Sequence, residues 1–576
     1  MKLCALLACA LLTGSLQAQV TYNELLHANQ EPQNWLMYGG TYTSQRYSLL
    51  TQVNKENVKN LQLKWTWRPS TPPAERKLED TPVVVNGVLY ATSLTSVVAL
   101  DAVTGRQYWK FERQLNPNDF PGQRVYKVNK GVGILGNTVF WTTGWDDHLI
   151  ALDARTGHVK WEVPIADWKK GYVINMTPMV VKNEVIVGPT TDDRGANCFL
   201  AAYDLHTGKE IWKFYTAPMS ADNPVTKTWG GETWKHGGDG IWNDGAYDPE
   251  TNLVFYGTAN ANPAWNGSER SPGAKLDNLY SECVIALDAD TGKLKWYYQF
   301  TPEDEYDWDS TQVPVLADID WEGKPRKVLM FANRNGFFYV LDRVTGKFLL
   351  GKPFTKVNWA SGIDKDGRPI LNPKLWPKPK EGAFVSPSAG GGTNYYPPSY
   401  DPQTGLFYLT TAQNSGGFSG EGVSILPWRE GHLYTGSIWW PGFGETSPPA
   451  NWPPMSPRPS AAGGRRRANP AFRTPSEGYG AIDALVPQTG EKKWEFKLVN
   501  NSESGVLSTA GGVVFAGGRD GIFFALDAQT GKPLWHVNVS DGGGGMGSGP
   551  MSYAVNGKQY VVTTSDNTMY GFALPD

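Results

Sequence analysis

A turn of the form Ala-Leu-Asp-x-x-Thr-Gly-x-x-x-Trp recurs along the chain and constrains the fold more than any other feature. Copies or close variants begin at residues 99, 151, 202, 286, 340, 481 and 525. Most successive copies start about 50 residues apart. A unit of that length holds four short strands, and units that pack side by side bury a continuous core. Seven turns, together with a diverged copy at 399–409, predict an all-β, eight-bladed β-propeller with tryptophan-docking turns.

The residue types of the turn explain its geometry. The Asp side chain accepts backbone hydrogen bonds, and the Gly adopts a positive φ that completes the turn. The Trp begins the next strand and is bulky enough to wedge between neighbouring sheets. These tryptophans are Trp109, Trp161, Trp212, Trp296 and Trp535.

Composition agrees with an all-β chain, because 64 Gly, 41 Pro, 24 Trp, 26 Tyr and 22 Phe favour turns and strands. We predict one propeller domain over residues 19–576, closed by pairing of the C-terminal strand with an N-terminal strand near Trp35–Tyr38. A Pro- and Gly-rich stretch at about 415–478 interrupts the repeat. It is predicted to be a solvated surface excursion, with a docking surface for a redox partner as the alternative.

The first 18 residues have the parts of a secretory signal peptide, which predicts a periplasmic protein. Lys2 supplies the positive charge, an apolar run follows, and small residues near Ala18 offer a cleavage site. Lipid modification at Cys9 is the less favoured alternative. Beyond this segment, no stretch of the sequence is long and apolar enough to cross a membrane.

Net charge and cysteine content argue against two further classes of protein, those that bind nucleic acid and those that carry covalently attached haem. The formal net charge of −3 argues against a nucleic-acid partner. After removal of the signal peptide, Cys198 and Cys283 remain, and they could form a disulfide or lie buried as small residues. The sequence has no Cys-x-x-Cys-His motif, so this chain carries no covalently attached c-type haem.

Three segments break the repeat and carry side chains suited to chemistry. YDWDSTQ places Asp307 and Asp309 on one side of an extended segment, where two carboxylates repel unless a cation lies between them. In GTANANPAWN, Asn260 could bind a hard cation or cap a turn. In KHGGDGIWND, glycines permit close approach of a ligand and Trp242 offers a flat face. The structural alternatives are a solvated acidic loop around 303–305, a turn cap and a packed Trp.

Together these segments resemble the pyrroloquinoline-quinone (PQQ) dependent alcohol dehydrogenases, including the methanol dehydrogenases. The resemblance runs from about Asn34 to the C-terminus outside the Pro-rich stretch, and includes NWLMYGGTYTSQRYS, GTAN, YDWDSTQ, NRNGFFYVLDR and SGPMSYAVNGKQYVV. It implies an enzyme that oxidises an alcohol with PQQ and a calcium or lanthanide ion, and passes electrons to a separate soluble cytochrome c. The alternatives are a non-catalytic scaffold related to outer-membrane assembly propellers, and a quinoprotein acting on a sugar or aldehyde.

The resemblance also implies roles for particular residues. Asp307 would be the catalytic base that takes the alcohol proton, and Arg334 would stabilise charge on the quinone oxygens. The metal ligands would be Asp193, Asn260, Asp307 and, as in lanthanide-using members, Asp309; a third carboxylate favours a trivalent ion. The cofactor-binding residues would be Glu79, Lys130, Asn175, Thr190, Trp242, Arg334 and Asn394.

The sequence departs from the family pattern at several of these positions. The adjacent cysteines that often form a disulfide ring over the cofactor have no counterpart in QRVYKVNKG. Lys130 stands for an arginine and loses its bidentate fork. Asn175 stands for a threonine, Asp193 for a glutamate and Glu503 for a tryptophan.

Overall fold

The computed structural model describes residues 20–69, 77–114, 128–265, 267–273, 275–376, 383–419, 428–435, 438–440, 478–498, 500–540 and 545–576. The predicted signal peptide and most of the Pro-rich stretch lie outside these residues. Among the described residues, no helix is long and apolar enough to cross a membrane. Their helices are short: one α-helix, Tyr22–Leu26, and 3₁₀ turns at Ala28–Gln30, Val58–Asn60, Trp168–Lys170, Pro224–Thr228, Thr233–His236 and Pro373–Leu375.

The described strands form eight blades of four antiparallel strands, one of which carries an additional parallel strand, and the blades are numbered here 1 to 8 along the chain. Blade 1 contains Val83–Val85, Val88–Thr92, Ser96–Asp101 and Gln107–Glu112. Blade 2 contains Gly133–Leu135, Thr138–Thr142, His148–Asp153 and Val159–Pro164. Blade 3 contains Met179–Val181, Glu184–Val187, Phe199–Asp204 and Glu210–Tyr215. Blade 4 contains Ala246–Asp248, Leu253–Gly257, Cys283–Asp288 and Leu294–Gln299.

The second half of the chain repeats the pattern. Blade 5 contains Val315–Trp321, Lys324–Ala332, Phe337–Asp342 and Phe348–Pro353. Blade 6 contains Ser399–Asp401, Leu406–Gln413, Tyr479–Leu485 and Lys492–Leu498. Blade 7 contains Leu507–Thr509, Val513–Gly517, Ile522–Asp527 and Pro533–Asn538, with Tyr47–Ser48 added in parallel to its first strand. Blade 8 contains Met551–Val555, Lys558–Ser565, Thr568–Ala573 and Gln62–Trp67.

Two small sheets lie outside the blades. Ala360–Ile363 pairs with Pro369–Leu371, and Gly416–Ser419 pairs with both Ala383–Val385 and Ile438–Trp440. These sheets occupy the long connections on either side of the first hairpin of blade 6. The wide spacing between the turns at 340 and 481 therefore reflects insertions, and it does not accommodate a further blade.

The ring closes through blade 8, whose outer strand comes from the N-terminal part of the chain. Gln62–Trp67 pairs antiparallel with Thr568–Ala573. The predicted closure at Trp35–Tyr38 is therefore wrong, because Trp35 forms an isolated bridge with Val84 of blade 1 instead. Trp65 of this strand packs against Gly105 in the turn of blade 1, as the tryptophans of most other outer strands do against the next blade.

The predicted number of blades is confirmed, but one unit was assigned wrongly. The diverged turn at 399–409 joins Ser399–Asp401 to Leu406–Gln413, so it is the first hairpin of blade 6. The strand Tyr479–Leu485, which leads into the next repeated turn, pairs with the second strand of that same hairpin. The seven tryptophan turns therefore belong to blades 1 to 7, and the eighth blade is the closing sheet formed by the two ends of the chain.

Six of the seven turns receive a tryptophan of the preceding blade, and the turn of blade 6 instead meets Leu350 and Lys352 of blade 5 at Gly490. In the turn of blade 2, Asp153 accepts hydrogen bonds from the backbone amides of residues 155 and 156, and Gly157 has a φ of +72°. A β-carbon at Gly157 would lie 2.6 Å from Cε3 of Trp109, so a larger residue would displace the indole. Trp109 Nε1 donates to the Ala154 carbonyl at 3.0 Å. The same bond joins Trp161 to Leu205, Trp212 to Ala289 and Trp494 to Ala528.

The core lies between the blades. One cluster of buried apolar side chains spans blades 1 to 4, and another joins blades 7, 8 and 1 across the closure. Smaller clusters join blades 4 and 5, 5 and 6, and 6 and 7. Cys198 and Cys283 are buried and unpaired, so of the two alternatives the structure shows buried thiols.

Candidate active site

The predicted site residues lie at one end of the ring because of strand alternation. In a four-stranded antiparallel blade, the connections after the second and fourth strands leave at one end, and the tryptophan turn after the third leaves at the other. Asp193, Asn260 and Arg334 follow the second strands of blades 3, 4 and 5. Trp242 and Asp307 follow the fourth strands of blades 3 and 4. Topology thus brings together residues that are far apart in sequence.

These connections surround a polar cavity of about 270 Å³. Asp192, Ala259 and Tyr395, which the sequence did not single out, lie in its wall. The predicted residues that line it are Glu79, Lys130, Thr190, Asp193, Trp242, Asn260, Asp307, Asp309, Arg334 and Asn394.

Asn175 is the predicted residue that the structure does not place in the cavity lining. It lies between blades 2 and 3 with 1% of its surface exposed. Neither polar atom of its amide has a hydrogen-bond partner among the described residues. A buried amide left in that state costs about 1–3 kcal/mol, so this position calls for a water or a bound polar group.

One side of the cavity, here called the acidic wall, consists of Asp193, Asp307 and Asp309 with the guanidinium of Arg334. Arg334 Nη1 donates to Asp309 Oδ2 at 2.7 Å, and Nη2 lies 3.7 Å from Asp307 Oδ2. Burial raises the pKa of Asp307 well above its ordinary value; Arg334 opposes this, and the two neighbouring carboxylates add to it. Burial also raises the pKa of Asp193 to about 6. The wall therefore resists carrying its full negative charge.

Asp309 holds the other groups of this wall in place. Its Oδ2 also accepts from Trp242 Nε1 at 3.1 Å, and its Oδ1 accepts from the backbone amide of Asn260 at 2.9 Å. The candidate stacking ring, the candidate metal-binding amide and Arg334 are thus all tied to one carboxylate. Shifting Asp309 would move all three.

Asp193 lies in a tight loop with backbone strain. The φ angles of Asp192 and Asp193 are +45° and +63°, a region that non-glycine residues keep where the surroundings fix them. Asn260 Nδ2 and Asn262 Nδ2 donate to Asp193 Oδ1 at 3.0 and 3.1 Å. The amide nitrogen of Asn260 is therefore engaged, and its carbonyl oxygen is the atom available to a cation.

Among the described residues, no three His, Cys, Asp or Glu side chains converge closely enough to hold a metal ion by themselves. An ion in the acidic wall would take donors from the Asn260 carbonyl or from another bound group in addition to carboxylates. Hard oxygen donors of this kind suit calcium and similar ions.

A second side, here called the paired wall, consists of Glu79 and Lys130, which line the cavity, together with their ion-pair partners Lys77 and Glu503. Lys130 Nζ lies 2.7 Å and Lys77 Nζ 3.2 Å from the Glu79 carboxylate, and Lys77 also binds Glu503. Burial opposes ionisation of Glu79, but the two ammonium groups outweigh it and lower its pKa to about 2. The pKa of Glu503 is also lowered, because Lys77 and Arg519 outweigh burial. Each carboxylate here has a cation beside it.

Tyr395 connects the paired wall to the cavity. Its ring centroid lies 4.4 Å from Lys130 Nζ and 5.1 Å from Lys77 Nζ, and its hydroxyl accepts from Lys77 at 2.5 Å. The Trp242 ring lies 6.2 Å away. Sequence reasoning missed Lys77 and Tyr395, although Lys77 lies two residues before Glu79 and Tyr395 directly follows Asn394.

The acidic run Glu303-Asp304-Glu305 is buried, so the alternative of a solvated acidic loop is wrong. The three residues are 6%, 1% and 6% exposed. Arg270, itself buried, donates to the Asp304 carbonyl, and the Gly267 amide donates to Glu305 Oε1 at 2.9 Å. Burial raises the pKa of Glu303 to about 8 and that of Glu305 to about 7. Within this run, Asp304 accepts from the Trp308 amide at 3.1 Å, and its charge adds to the rise in the pKa of Asp307.

Comparison with known proteins connects this cavity to a family. A family model described as the β-propeller domain of glucose/ethanol/alcohol dehydrogenases (PQQ) matches residues 35–358 and 476–561. Quinohemoprotein alcohol dehydrogenase ADH-IIG of Pseudomonas putida is 36% identical, covering 96% of this chain and 74% of that protein. Quinoprotein alcohol dehydrogenase PedH of Pseudomonas putida is 35% identical, with 99% and 91% covered. The solved structure of a europium-containing methanol dehydrogenase superimposes with a TM-score of 0.82 at 30% identity, covering 96% of this chain and all of that one.

Proposed function

The chain belongs to the family of PQQ-dependent alcohol dehydrogenases, and on that premise we propose that it oxidises an alcohol in this cavity with PQQ and a metal ion. The observation that supports this most directly is the convergence of Asp307, Arg334, Asp309 and Asn260 on one polar cavity. A non-catalytic scaffold is not favoured, because a scaffold has no use for a crowded set of buried carboxylates.

The residues present fit both groups. Arg334 Nε and the Asn175 amide are buried without partners among the described residues, and the acidic wall carries charge that a cation would neutralise. The proposed ion ligands are Asp193, Asn260, Asp307 and Asp309. The proposed PQQ-binding residues are Glu79, Lys130, Asn175, Thr190, Trp242, Arg334 and Asn394.

When bound, PQQ supplies an acceptor for the hydride of the alcohol, and the ion polarises its carbonyl. Asp307 accepts the hydroxyl proton of the alcohol at its carboxylate, which requires the ionised form. A cation beside Asp307 favours that form, because it offsets the burial and the neighbouring carboxylates that raise the pKa. The guanidinium of Arg334 would stabilise charge that develops on the acceptor, and Asp309 fixes the position of this guanidinium.

The ion is proposed to be calcium or a lanthanide. Three carboxylates favour a highly charged ion, and a solved structure with the same fold is that of a europium-containing methanol dehydrogenase. Arg334 offsets part of this charge through its bond to Asp309. Direct binding measurements with both ions decide between them.

Export and electron transfer complete the proposal. The signal-peptide features of the first 18 residues support a periplasmic location. The sequence has no Cys-x-x-Cys-His motif, so a separate soluble cytochrome c is the proposed electron acceptor.

Reconstitution tests the proposal. Purified protein is supplied with PQQ and either calcium or lanthanum, and reduction of an artificial dye is followed with a panel of alcohols, aldehydes and sugars. We expect dye reduction that requires PQQ, one of the two ions and an alcohol. Absence of PQQ binding with either ion would contradict the proposal, and faster reaction with sugars or aldehydes would change the substrate class.

A further inference from the structure

A described piece of the Pro-rich stretch reaches far from its own blade. Residues Trp428–Thr435, here called the strap, belong to the connection between the second and third strands of blade 6. The contacts described below place the strap on blades 3 and 4, which are not neighbours of blade 6 in the ring. The matched family model leaves residues 359–475 out, so the strap is outside the part shared with that model. Residues 429, 430, 432 and 433 are exposed and Tyr434 is buried, so this piece is a surface segment that is anchored on the ring.

The strap binds the main chain of the loop that carries Asp193. The Tyr434 amide donates to the Asp193 carbonyl at 2.7 Å, and Trp428 Nε1 donates to the Arg194 carbonyl at 3.1 Å. A β-carbon at Gly195 would lie 3.1 Å from both the Trp428 and the Tyr434 rings. Two successive carbonyls of this loop are therefore held from the same side, and glycine at 195 permits the close approach.

The strap also binds the connection that carries Asn260 and the connection that carries Trp242. The Trp265 amide, five residues after Asn260, donates to the Thr435 carbonyl at 3.0 Å. The imidazole of His236 stacks on Trp428 with ring centroids 3.8 Å apart and planes at 16°. The strap thus joins the connections that carry Asp193, Asn260 and Trp242.

The loop at Asp193 needs such support. Asp192 and Asp193 both have left-handed φ angles, which non-glycine residues keep where their surroundings fix them. A ligand held in its binding geometry before the ion arrives loses less conformational freedom on binding, and this raises affinity. Groups that orient metal ligands typically change metal affinity by about 10- to 100-fold.

We propose that the strap sets the metal affinity of the site, with the Tyr434 amide and the Trp428 indole as positioning groups for Asp193. The inference rests on the proposed function, because it takes Asp193 as a ligand of the ion. The strap does not line the cavity, so it acts through the loop that it holds.

Two variants remove the two donors. Tyr434→Pro removes the amide hydrogen, and Trp428→Phe removes the indole donor but keeps a ring to stack on His236. The matched controls are Tyr434→Phe, which keeps the amide, and Leu433→Ala at a side chain that is 60% exposed. Each protein is saturated with PQQ and titrated with calcium or lanthanum by calorimetry.

We expect the dissociation constant of the ion to rise about 10- to 100-fold in Tyr434→Pro and less in Trp428→Phe, with both controls unchanged. At saturating ion, kcat should return to the wild-type value, since the strap does not contact the reacting atoms. A purely structural role would instead lower the thermal midpoint and leave kcat unrescued by excess ion. Folded variants with wild-type ion affinity would overturn the proposal.

Hydrogen exchange separates this inference from the proposed function. Amides of residues 190–197 should exchange faster in both variants than in both controls, measured without ion or PQQ. If the wild-type protein binds no ion, the proposed function fails and the inference about metal affinity fails with it, whatever the exchange result. If the wild-type protein is active and exchange at 190–197 is the same in all four variants, the strap proposal alone fails.

Discussion

The acidic wall and the paired wall both combine carboxylates with cationic side chains at one cavity. The pKa of a carboxylate is raised in the acidic wall and lowered in the paired wall. In the paired wall, two ammonium groups meet Glu79 and lower its pKa to about 2. In the acidic wall, Arg334 contacts both Asp307 and Asp309, and burial together with the adjacent carboxylates raises the pKa of Asp307. The side chains of both walls are buried or half-buried, so the difference comes from the ratio of cations to carboxylates.

The difference in charge balance indicates which of the two walls depends on a bound cation. The paired wall is balanced by its own side chains, so it forms a stable frame without any bound group. The acidic wall is unbalanced and gains most from a cation, since opposite charge within a few ångströms favours the ionised carboxylates. We therefore expect substitutions in the paired wall to change stability, and substitutions in the acidic wall to change chemistry and ion binding.

The largest expected effect is on catalysis by the acidic wall. Asp307→Asn keeps the size of the side chain but removes the base, and we expect kcat to fall by about 10²- to 10⁴-fold. PQQ binding, followed by absorbance, should be retained. Dye reduction in saturating PQQ and ion is the measurement, and Asp366→Asn, at an exposed surface position, is the control. Activity above a tenth of the wild-type value would mean that another group is the base.

The next effect is on the stability of the paired wall. Glu79→Gln leaves Lys130, which is 1% exposed, beside a neutral amide, and breaking a buried pair in this way costs about 3–5 kcal/mol of unfolding free energy. In the ion-free protein, Asp307→Asn should cost nothing or stabilise, because it removes a carboxyl group whose ionisation is opposed by burial and by the neighbouring carboxylates. Urea unfolding of both variants compares the walls directly. Equal destabilisation by the two substitutions would refute the contrast between them.

A smaller effect should distinguish the ions. Asp309→Asn removes one negative charge from the acidic wall, and the lost attraction scales with the charge of the ion. We expect affinity for lanthanum to fall about 10- to 100-fold and affinity for calcium to fall less. Calorimetric titration of the PQQ-saturated variant with each ion measures both losses. Equal losses would show that Asp309 acts by holding Arg334 and Trp242 rather than by attracting the ion.

The sequence predicted the parts of the molecule whose signals are local. Each repeated turn carries its own Asp and Gly, and most also carry the Trp, so the blades could be counted. The resemblance led to most of the cavity residues. Closure by Gln62–Trp67 was missed, because the choice among N-terminal segments depends on contacts with residues near the other end of the chain. The indole of Trp65 was an available signal for it.

The rest depends on three-dimensional neighbours. Lys77 acquires its role from Glu503, which is more than 400 residues away, and Trp428 acquires its role from the loop after Asp193. Neither contact could be predicted from the spacing of residues or from the composition of the sequence. The role of Asn175 at the cofactor stays a prediction, since its buried amide has no partner among the described residues but does not line the cavity.

The smallest expected effect is a pH dependence confined to the paired wall. The pKa of Glu79 falls from an ordinary 4.5 to about 2 in the folded protein, so its stabilising contribution is complete above pH 4.5 and is lost as the pH falls towards 2. The difference in stability between wild type and Glu79→Gln should be constant from neutral pH down to about pH 5. Below that it should narrow by at most about 1.4 kcal/mol per pH unit. Urea unfolding at a series of pH values measures this difference, and a gap that widens on acidification would show that the two lysines do not hold Glu79 ionised.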